Sequence, residues 1–582
     1  MNIRALVLGN DSRSTLAVVR SLGRSGITVD IGSSERKTPS RYSRYVNVTY
    51  LLPDPMNSIE RWTKALKVLL SKNKYDIVIP ASEVSVIPII REYEELSKLC
   101  LVALPEPDTF LRTLRKDKTL ELARICNVPT PKSRLAKSMK DVDEAIINLT
   151  IPIVQKPVSS KIGIHDEQLS FRVRYAKDAN ELTASMDKLL KFTPVLLQEK
   201  VSGKGIGQEF LTKNGEILAM FQHERIHEPF GGGGSSYRKS TAIDSELLEY
   251  SKRMIAELGW TGVLMVEYKS DATTGENWLM EINGRFWGSL PLAIAAGADF
   301  PKQLVEMHVM KEEVVQPNYM IGTRCRNFLL DIGWAVRRIM GAEKGARRLE
   351  GIKQIFHIPV KLLANTDRSD TFVRDDMAPG FMELFSFFEH TIREKLFTLL
   401  LAYRRWRYVP TSNISENRIK AVNRIRDANS VLFFCKGNIC RSPFAEHAFR
   451  KILSEHGLTD VRVGSAGRIS REGRRSPAAA VANAAEFGLN LDNHRSRKLT
   501  QLMLDECGVI FVMDASEYLW IKNNFKDAND KLFFLGEFHE GEVIEIDDPW
   551  RRSYQTFHRV YNCITGILQN VRVSLLEVAS ID

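Results

Sequence analysis

The 582-residue chain has no uninterrupted run of 18 apolar residues, which argues against a membrane-spanning helix. It has no pair of Cys-x-x-Cys motifs, so the usual structural zinc site is not expected. Seven cysteines, at 100, 126, 325, 435, 440, 507 and 563, are too few and too scattered for a disulfide framework and point to a reducing compartment. The first strand-to-helix turn, Gly9-Asn10-Asp11-Ser12-Arg13-Ser14, lacks G-x-G-x-x-G, so a standard dinucleotide fingerprint is absent. Turn residues end the apolar opening at once, and it is expected to be a first β-strand rather than a signal peptide. No zinc knuckle or aromatic-basic RNA motif accompanies the positive charge, so nucleic acid is not an expected partner.

What is present is ordinary for folded protein: 44% apolar and 26% charged residues. The length suggests roughly three to five domains. Lys and Arg number 82 against 71 Asp and Glu, a net charge of +11 that hints at anionic partners. Residues 1–110 alternate short apolar strands (Ala5–Gly9, Val29–Ile31, Ile77–Pro80, Leu101–Leu104) with helical patterns (Thr15–Leu22, Ile59–Leu70), which favours a parallel sheet. Residues 111–320 mix helices with hairpin signals, and 430–575 return to alternating strands and helices. Between them, residues 321–430 carry 20 Lys/Arg against 12 Asp/Glu, net +8. The fold class is therefore multidomain α/β: an α/β domain at 1–110, an α+β domain at 111–320, a basic, helix-rich connecting region at 321–429 and a parallel-sheet α/β domain at 430–575.

The sharpest motif runs from an apolar strand, Val431-Leu432-Phe433-Phe434, into Cys435-Lys436-Gly437-Asn438-Ile439-Cys440-Arg441-Ser442-Pro443, with a helical pattern behind it. A turn of this length curls its N–H groups inward and forms an anion nest at a helix N-terminus. A cysteine at the base of such a nest should have its pKa lowered. Arg441 can grip two phosphate oxygens in a fork, and Ser442 can hydrogen-bond the thiolate.

These residues resemble the low-molecular-weight protein tyrosine phosphatase family, whose loop reads C-x-G-N-x-C-R-S. The resemblance covers about residues 430–575 and includes Ser465-Ala466-Gly467, His494-Arg495-Ser496-Arg497 and Asp548-Pro549. It implies Cys435 as nucleophile through a phosphocysteine, Arg441 as phosphate clamp and Asp548 as general acid and base. Asn438 and Ser465 would hold the loop's shape. Cys440 reads either as a resolving thiol or as a small apolar filler. Trp550 stands where the family usually has tyrosine, and Ile439 matches the tyrosine-directed branch. The aromatic expected soon after Ser-Ala-Gly is replaced by a basic stretch, Arg468 to Arg475, that suits an acidic or multiply phosphorylated substrate or is simply solvated. The implied partner is a phosphotyrosine protein or another phosphomonoester.

A second, looser set lies between residues 110 and 290. Two strand-like segments, Val263–Tyr268 and Trp278–Asn283, read as a hairpin around Ala272–Asn277 that brings Glu267 near Glu281, with Asn283 on the same face. Three hard oxygen ligands on one face suit Mg²⁺. The ordered set, ending in Glu281-Ile282-Asn283-Gly284-Arg285, resembles the ATP-grasp superfamily over about residues 1–320. That resemblance implies ATP and Mg²⁺ (Mn²⁺ as alternative), phosphate contacts from Lys118 and Lys156, an adenine pocket at Glu199 and Val201, and metal binding by Glu267, Glu281 and Asn283. Arg285 would stabilise an acyl phosphate. Arg225, ahead of the glycine run 231–234, resembles part of a mobile substrate loop. Gln208 or Glu209 is the expected ribose contact. The implied chemistry is carboxylate activation by ATP followed by attack of an amine.

The stretch 381–408, rich in Phe and Leu and ending in Arg404, Arg405 and Arg407, has two readings. It is a helix packed on an enzyme domain, or a peripheral contact with an anionic membrane. The combined expectation is a cytoplasmic two-enzyme fusion, peripheral at the inner membrane face in the second reading. The competing expectations are a phosphatase regulated by a nucleotide-binding half and a non-catalytic phosphate-binding adaptor.

Overall fold

The computed structural model describes residues 3–10, 13–159, 161–164, 167–171, 173–190, 192–228, 234–271, 273–341, 348–364, 366–389, 413–469, 472–540, 545–550, 552 and 554–579. The glycines 231–233 and residues 390–408 of the expected amphipathic helix lie outside them. The chain divides into two units, Met1–Phe388 and Glu389–Asp582.

The first unit opens with a parallel sheet in the order Val46–Leu51, Thr28–Ser33, Arg4–Leu8, Ile77–Pro80, Leu101–Val102. Strand periodicity explains its double burial. Ala5, Val7, Val29 and Ile31 face Ala17, Val18 and Leu22 of the helix Arg13–Arg24. Leu6, Leu8 and Val78 point the other way, onto Trp62, Leu66 and Leu69 of the helix Ile59–Lys72. The strand Val46–Leu51 was not expected; it sits at the sheet's edge with every residue at least partly exposed, so it lacks the apolar run that marks its neighbours.

A four-stranded antiparallel sheet follows, ordered Arg174–Ala176, Ile153–Pro157, Val195–Glu199, Ser133–Ala136. The helices Met139–Asn148 and Ala179–Leu189 cover it with Val142, Ala145, Leu182 and Met186. A larger sheet has the order Asn277–Asn283, Gly262–Ser270, Lys204–Lys213, Glu216–His227, Tyr237–Ser240, Arg324–Arg326, Arg368–Ser369.

The last two strands correct the expected boundary at residue 320. Segment 321–388 is part of the first unit, tied in by buried ion pairs as well as by buried apolar residues such as Cys325 and Trp334. Arg326 bonds Asp331 at 2.7 Å and also Asp367. Asp370 holds Arg238 and, at 3.2 Å, Arg13. Asp376 holds Arg20 at 2.8 Å. A local surplus of Lys and Arg reads from sequence as a solvated linker, yet four aspartates here are buried counterions.

The second unit has a parallel sheet, Arg462–Gly467, Ser430–Cys435, Val509–Val512, Leu532–Phe534. The helices Ile414–Ala428, Arg441–Glu455 and Tyr554–Ala579 bury Ile425, Phe444, Phe449, Tyr561 and Ile564 against it. Phe444 stacks on Tyr561 with ring centroids 3.7 Å apart.

Candidate active site

The strand Ser430–Cys435 is buried at every residue and lies in parallel between its two neighbours, so Cys435 emerges at the sheet's C-terminal edge. The chain turns there into the helix that starts at Arg441. Asn438 takes a left-handed φ of 48°, a conformation asparagine tolerates. Its N–H points at Cys435 Sγ at 3.3 Å, and Ser442 Oγ donates to the same sulfur at 3.0 Å. Asn438 is the hub of the loop. Its Nδ2 donates to Ser442 Oγ (3.0 Å) and Ser465 Oγ (2.8 Å), and its Oδ1 accepts the Arg497 N–H (2.8 Å). Its backbone carbonyl is 2.8 Å from His494 Nε2. Ser465 Oγ donates in turn to Glu446 Oε2 at 2.6 Å. A Cβ on Gly467 would lie 2.9 Å from the Asn438 nitrogen, so only glycine lets the strand approach the loop this closely.

Arg441 is buried and lines the same pocket as Cys435, Gly437, Ile439, Asp548 and Trp550. Its guanidinium sits in an acidic cage: Asp514 at 2.9 Å, Glu517 at 2.9 Å and Asp548 at 3.6 Å, with a further bond to the Ile546 carbonyl at 2.8 Å. Asp548 is half-exposed at the pocket mouth.

The cage changes the expected behaviour of the cysteine. Burial pushes the Cys435 thiol up, and the nearby Glu517 pushes it further; Arg441 and the Ser442 hydrogen bonds pull it down. The sequence argument counted the nest and the arginine but not the buried carboxylate, so the expected fall is not what the surroundings give. Glu517 itself is pushed up to about 8 by burial. Its oxygens accept the Lys436 N–H (2.8 Å) and the Met513 N–H (3.0 Å). Cys440 is buried, its thiol pushed well up by desolvation.

In the first unit, the register of the large sheet aligns His223, Gly207, Glu267 and Glu281 across four strands. Asn283 follows Glu281 on the same face and donates from Nδ2 to Glu267 Oε1 at 3.1 Å. Arg225 reaches Glu267 at 2.5 Å. It crosses Gly205, where a Cβ would strike Arg225 Cδ at 2.8 Å; at Gly207 a Cβ would meet His223 Cε1 at 2.3 Å. Lys156, on the strand Ile153–Pro157, donates to Gln198 Oε1 at 2.6 Å, and burial pushes its pKa down to about 8. Glu281 and Glu267 both act on it. Arg285 lies 3.8 Å from Glu83 and lines a pocket with Glu281 and Asn283.

The remaining expected contacts stand as follows. Lys118 is exposed and paired with Glu121 at 2.9 Å, whereas Lys116 comes within 4.0 Å of Glu281. Gln208 and Glu209, the expected ribose contacts, are fully buried: Gln208 bonds Gln222 (2.9 Å) and Ser251 (2.8 Å), and Glu209 accepts from Ser289 (2.8 Å). Glu199 ends its strand with Oε1 accepting the Thr150 N–H at 2.8 Å, and Val201 is half-buried two residues on. Among the described residues no three His, Cys, Asp or Glu side chains form a metal cluster. The donor set offered by the hairpin is two carboxylates and one amide, whose oxygen is left free by the orientation of Asn283. That set fits a hard divalent ion completed by waters and phosphates.

Sequence reading missed Lys116, Glu446, Asp514 and Glu517. Asp514 also caps the helix Ala515–Asn524. Asp514-x-x-Glu517 therefore reads in sequence as an ordinary helix start and gives no hint of an arginine cage.

Residues 430–577 match the family profile described as low molecular weight phosphotyrosine protein phosphatase, and residues 191–327 match one described as ATP-grasp in the biosynthetic pathway with Ter operon. Over 136 residues the chain is 34% identical to the low molecular weight protein-tyrosine-phosphatase Etp of Escherichia coli (strain K12), covering 23% of this chain and 87% of that protein. It is 32% identical over 152 residues to the low molecular weight phosphotyrosine protein phosphatase of Sus scrofa, covering 25% of this chain and 96% of that protein. The N5-carboxyaminoimidazole synthetase structure from Staphylococcus aureus aligns with 56% of this chain and 84% of its own, at 15% identity and a TM-score of 0.45.

Proposed function

Since the chain belongs, through residues 430–577, to the low-molecular-weight phosphotyrosine protein phosphatase family and carries an ATP-grasp domain before it, we propose a bifunctional enzyme: a cysteine-dependent tyrosine phosphatase and a Mg²⁺- and ATP-dependent carboxylate–amine ligase. The observation that carries the first activity is one sulfur, Cys435 Sγ, held by the Asn438 N–H and the Ser442 hydroxyl beside Arg441 and Asp548. Cys435 attacks phosphorus, Arg441 takes the charge of the equatorial oxygens, and Asp548 protonates the departing phenol oxygen. Asp548 then takes a proton from the water that cleaves the phosphocysteine. The half-exposed rim around Arg468 and Arg474 suits an acidic phosphotyrosine protein. Hydrolysis of an aryl phosphate tests this reading. Cys435→Ser should lower turnover by a factor on the order of 10⁴ or more. Equal turnover would end the reading, and inert wild type would leave a phosphate-binding adaptor.

In the ATP-grasp half, Lys116 and Lys156 would meet the ATP phosphates, and Glu267, Glu281 and Asn283 would hold Mg²⁺ or Mn²⁺, which would neutralise phosphate charge so that a carboxylate can approach phosphorus. Arg285 steadies the acyl phosphate before an amine displaces phosphate. The Arg225–Glu267 ion pair, which already neutralises one metal carboxylate, favours the second reading, a nucleotide-binding half that regulates. Phosphate release from ATP across panels of acids and amines separates them: stimulation by one pair supports the ligase, and binding without stimulation supports the regulator. The seven free cysteines fit a reducing, cytoplasmic setting.

A further inference from the structure

The first unit presents a surface that neither site uses. The helices Phe328–Ile339 and Arg348–Leu363 pack closely, because Gly351 has no side chain: a Cβ there would lie 2.7 Å from the Ala335 carbonyl oxygen and 2.9 Å from Ile339 Cγ1. Trp334, Ala335 and Ile358 are buried on the inner side. On the outer side Leu349, Ile352, Phe356 and Val360 recur at intervals of three and four and are 72%, 43%, 69% and 61% exposed. That spacing makes one face of a helix, the kind that normally meets a core. Leu330, Val336 and Met340 of the partner helix are exposed as well.

The charge on the same two helices has one sign. Arg337, Arg338, Arg348, Lys353 and Lys361 face two acids. Glu350 pairs with Arg338 at 3.1 Å, and Asp331 is buried on Arg326. The helical residues 378–389 extend the pattern. Glu383 accepts from Asn327 Nδ2 (3.0 Å) and Thr371 Oγ1 (2.7 Å), which ties this segment to the residue capping Phe328–Ile339. Phe381, Phe385 and Phe388, again four and three apart, are exposed there. No helix among the described residues is long and apolar enough to cross a membrane.

We propose that this surface docks on an anionic phospholipid bilayer, its apolar stripe entering the acyl boundary while the arginines and lysines meet headgroup phosphates. Lys353 is exposed and, one turn after Leu349, lies at the edge of the stripe, so a cation flanks the apolar residues there. An acidic protein surface would match the charge but would have to bury a long apolar stripe as well.

The test is flotation of the full chain with vesicles of phosphatidylcholine alone or mixed with phosphatidylglycerol, with aryl-phosphate turnover as the check on folding. The wild type should float with the anionic vesicles only and be released by added salt. Ile352→Ser with Phe356→Ser, and separately Arg348→Gln with Lys353→Gln, should each lower partitioning by about tenfold or more. Wild type that fails to float, or either double variant floating as well as wild type, overturns the proposal. So does a wild-type dimer that the Ser variant converts to monomer without any vesicle binding, which would assign the stripe to a second copy of the chain.

Discussion

Eight consecutive residues, Cys435 to Ser442, carry the proposed nucleophile, cradle and clamp, while the proposed nucleotide site draws Lys116, Lys156, Glu267, Glu281, Asn283 and Arg285 from separate strands and helices. The compact site is built by local backbone: a buried strand, one left-handed asparagine and a helix start. The dispersed set depends on the large sheet's register, which puts Glu281 opposite Glu267, and on a strand of a second sheet that brings Lys156 under the influence of both carboxylates. A site made by one turn announces itself in sequence. A site made by register announces its strands but not which side chain of each reaches the centre.

The comparison can be broken at its strong end first. Asp548 lies outside the loop, so the compact site is not wholly self-contained. Asp548→Asn should lower kcat for phenyl-type phosphates by roughly 10² or more, with a smaller loss on activated leaving groups, read from a leaving-group series. A flat series with unchanged kcat would place the proton donor elsewhere. Next comes Glu517, the buried carboxylate that the loop borrows from a neighbouring helix. Glu517→Gln removes a negative charge that holds the Cys435 thiol up, so the thiol's pKa should fall. The acid limb of the kcat/KM profile then moves to lower pH, while kcat drops by about tenfold as Arg441 loses a charged acceptor. Movement of that limb to higher pH would mean that the carboxylate acts mainly through the arginine.

The smallest effect sharpens the dispersed side. Lys116→Ala should weaken Mg-ATP binding by about tenfold, and Lys118→Ala by less than about twofold, measured by calorimetry on the full chain. The reverse order would restore the assignment that sequence alone suggested.

That pair shows where legibility stops. Lys116 and Lys118 both open the helix Lys116–Ile125, but positions two apart point about 200° away from each other. Nothing in the local sequence sets the helix's rotation; its packing does, and it turns Lys116 rather than Lys118 toward Glu281. The two strands of the hairpin were legible, but the register nearest the turn would set Glu267 opposite Met280; an irregularity between Glu267 and Tyr268 brings Glu281 opposite Glu267, with Asn283 following on the same face. The loop at Cys435 was legible down to Asn438 and Ser442. The cage around Arg441 was not, since Asp514 and Glu517 satisfy a capping pattern that needs no further explanation. Edge strands and the buried aspartates after residue 321 escaped for a common reason: their stabilisation comes from partners distant in sequence, not from a periodic apolar run.

Those aspartates decide where the chain can be cut. A fragment ending at residue 320 would strip Arg20 and Arg238 of Asp376 and Asp370, leaving two cations stranded in the interior, and would take from His227 its hydrogen-bond partner Asp331. Orphaning a buried ion pair costs about 3–5 kcal/mol for each charge left behind. Any attempt to isolate the first unit therefore has to carry the chain through Phe388, or the excised piece will fail for want of counterions rather than for want of chemistry.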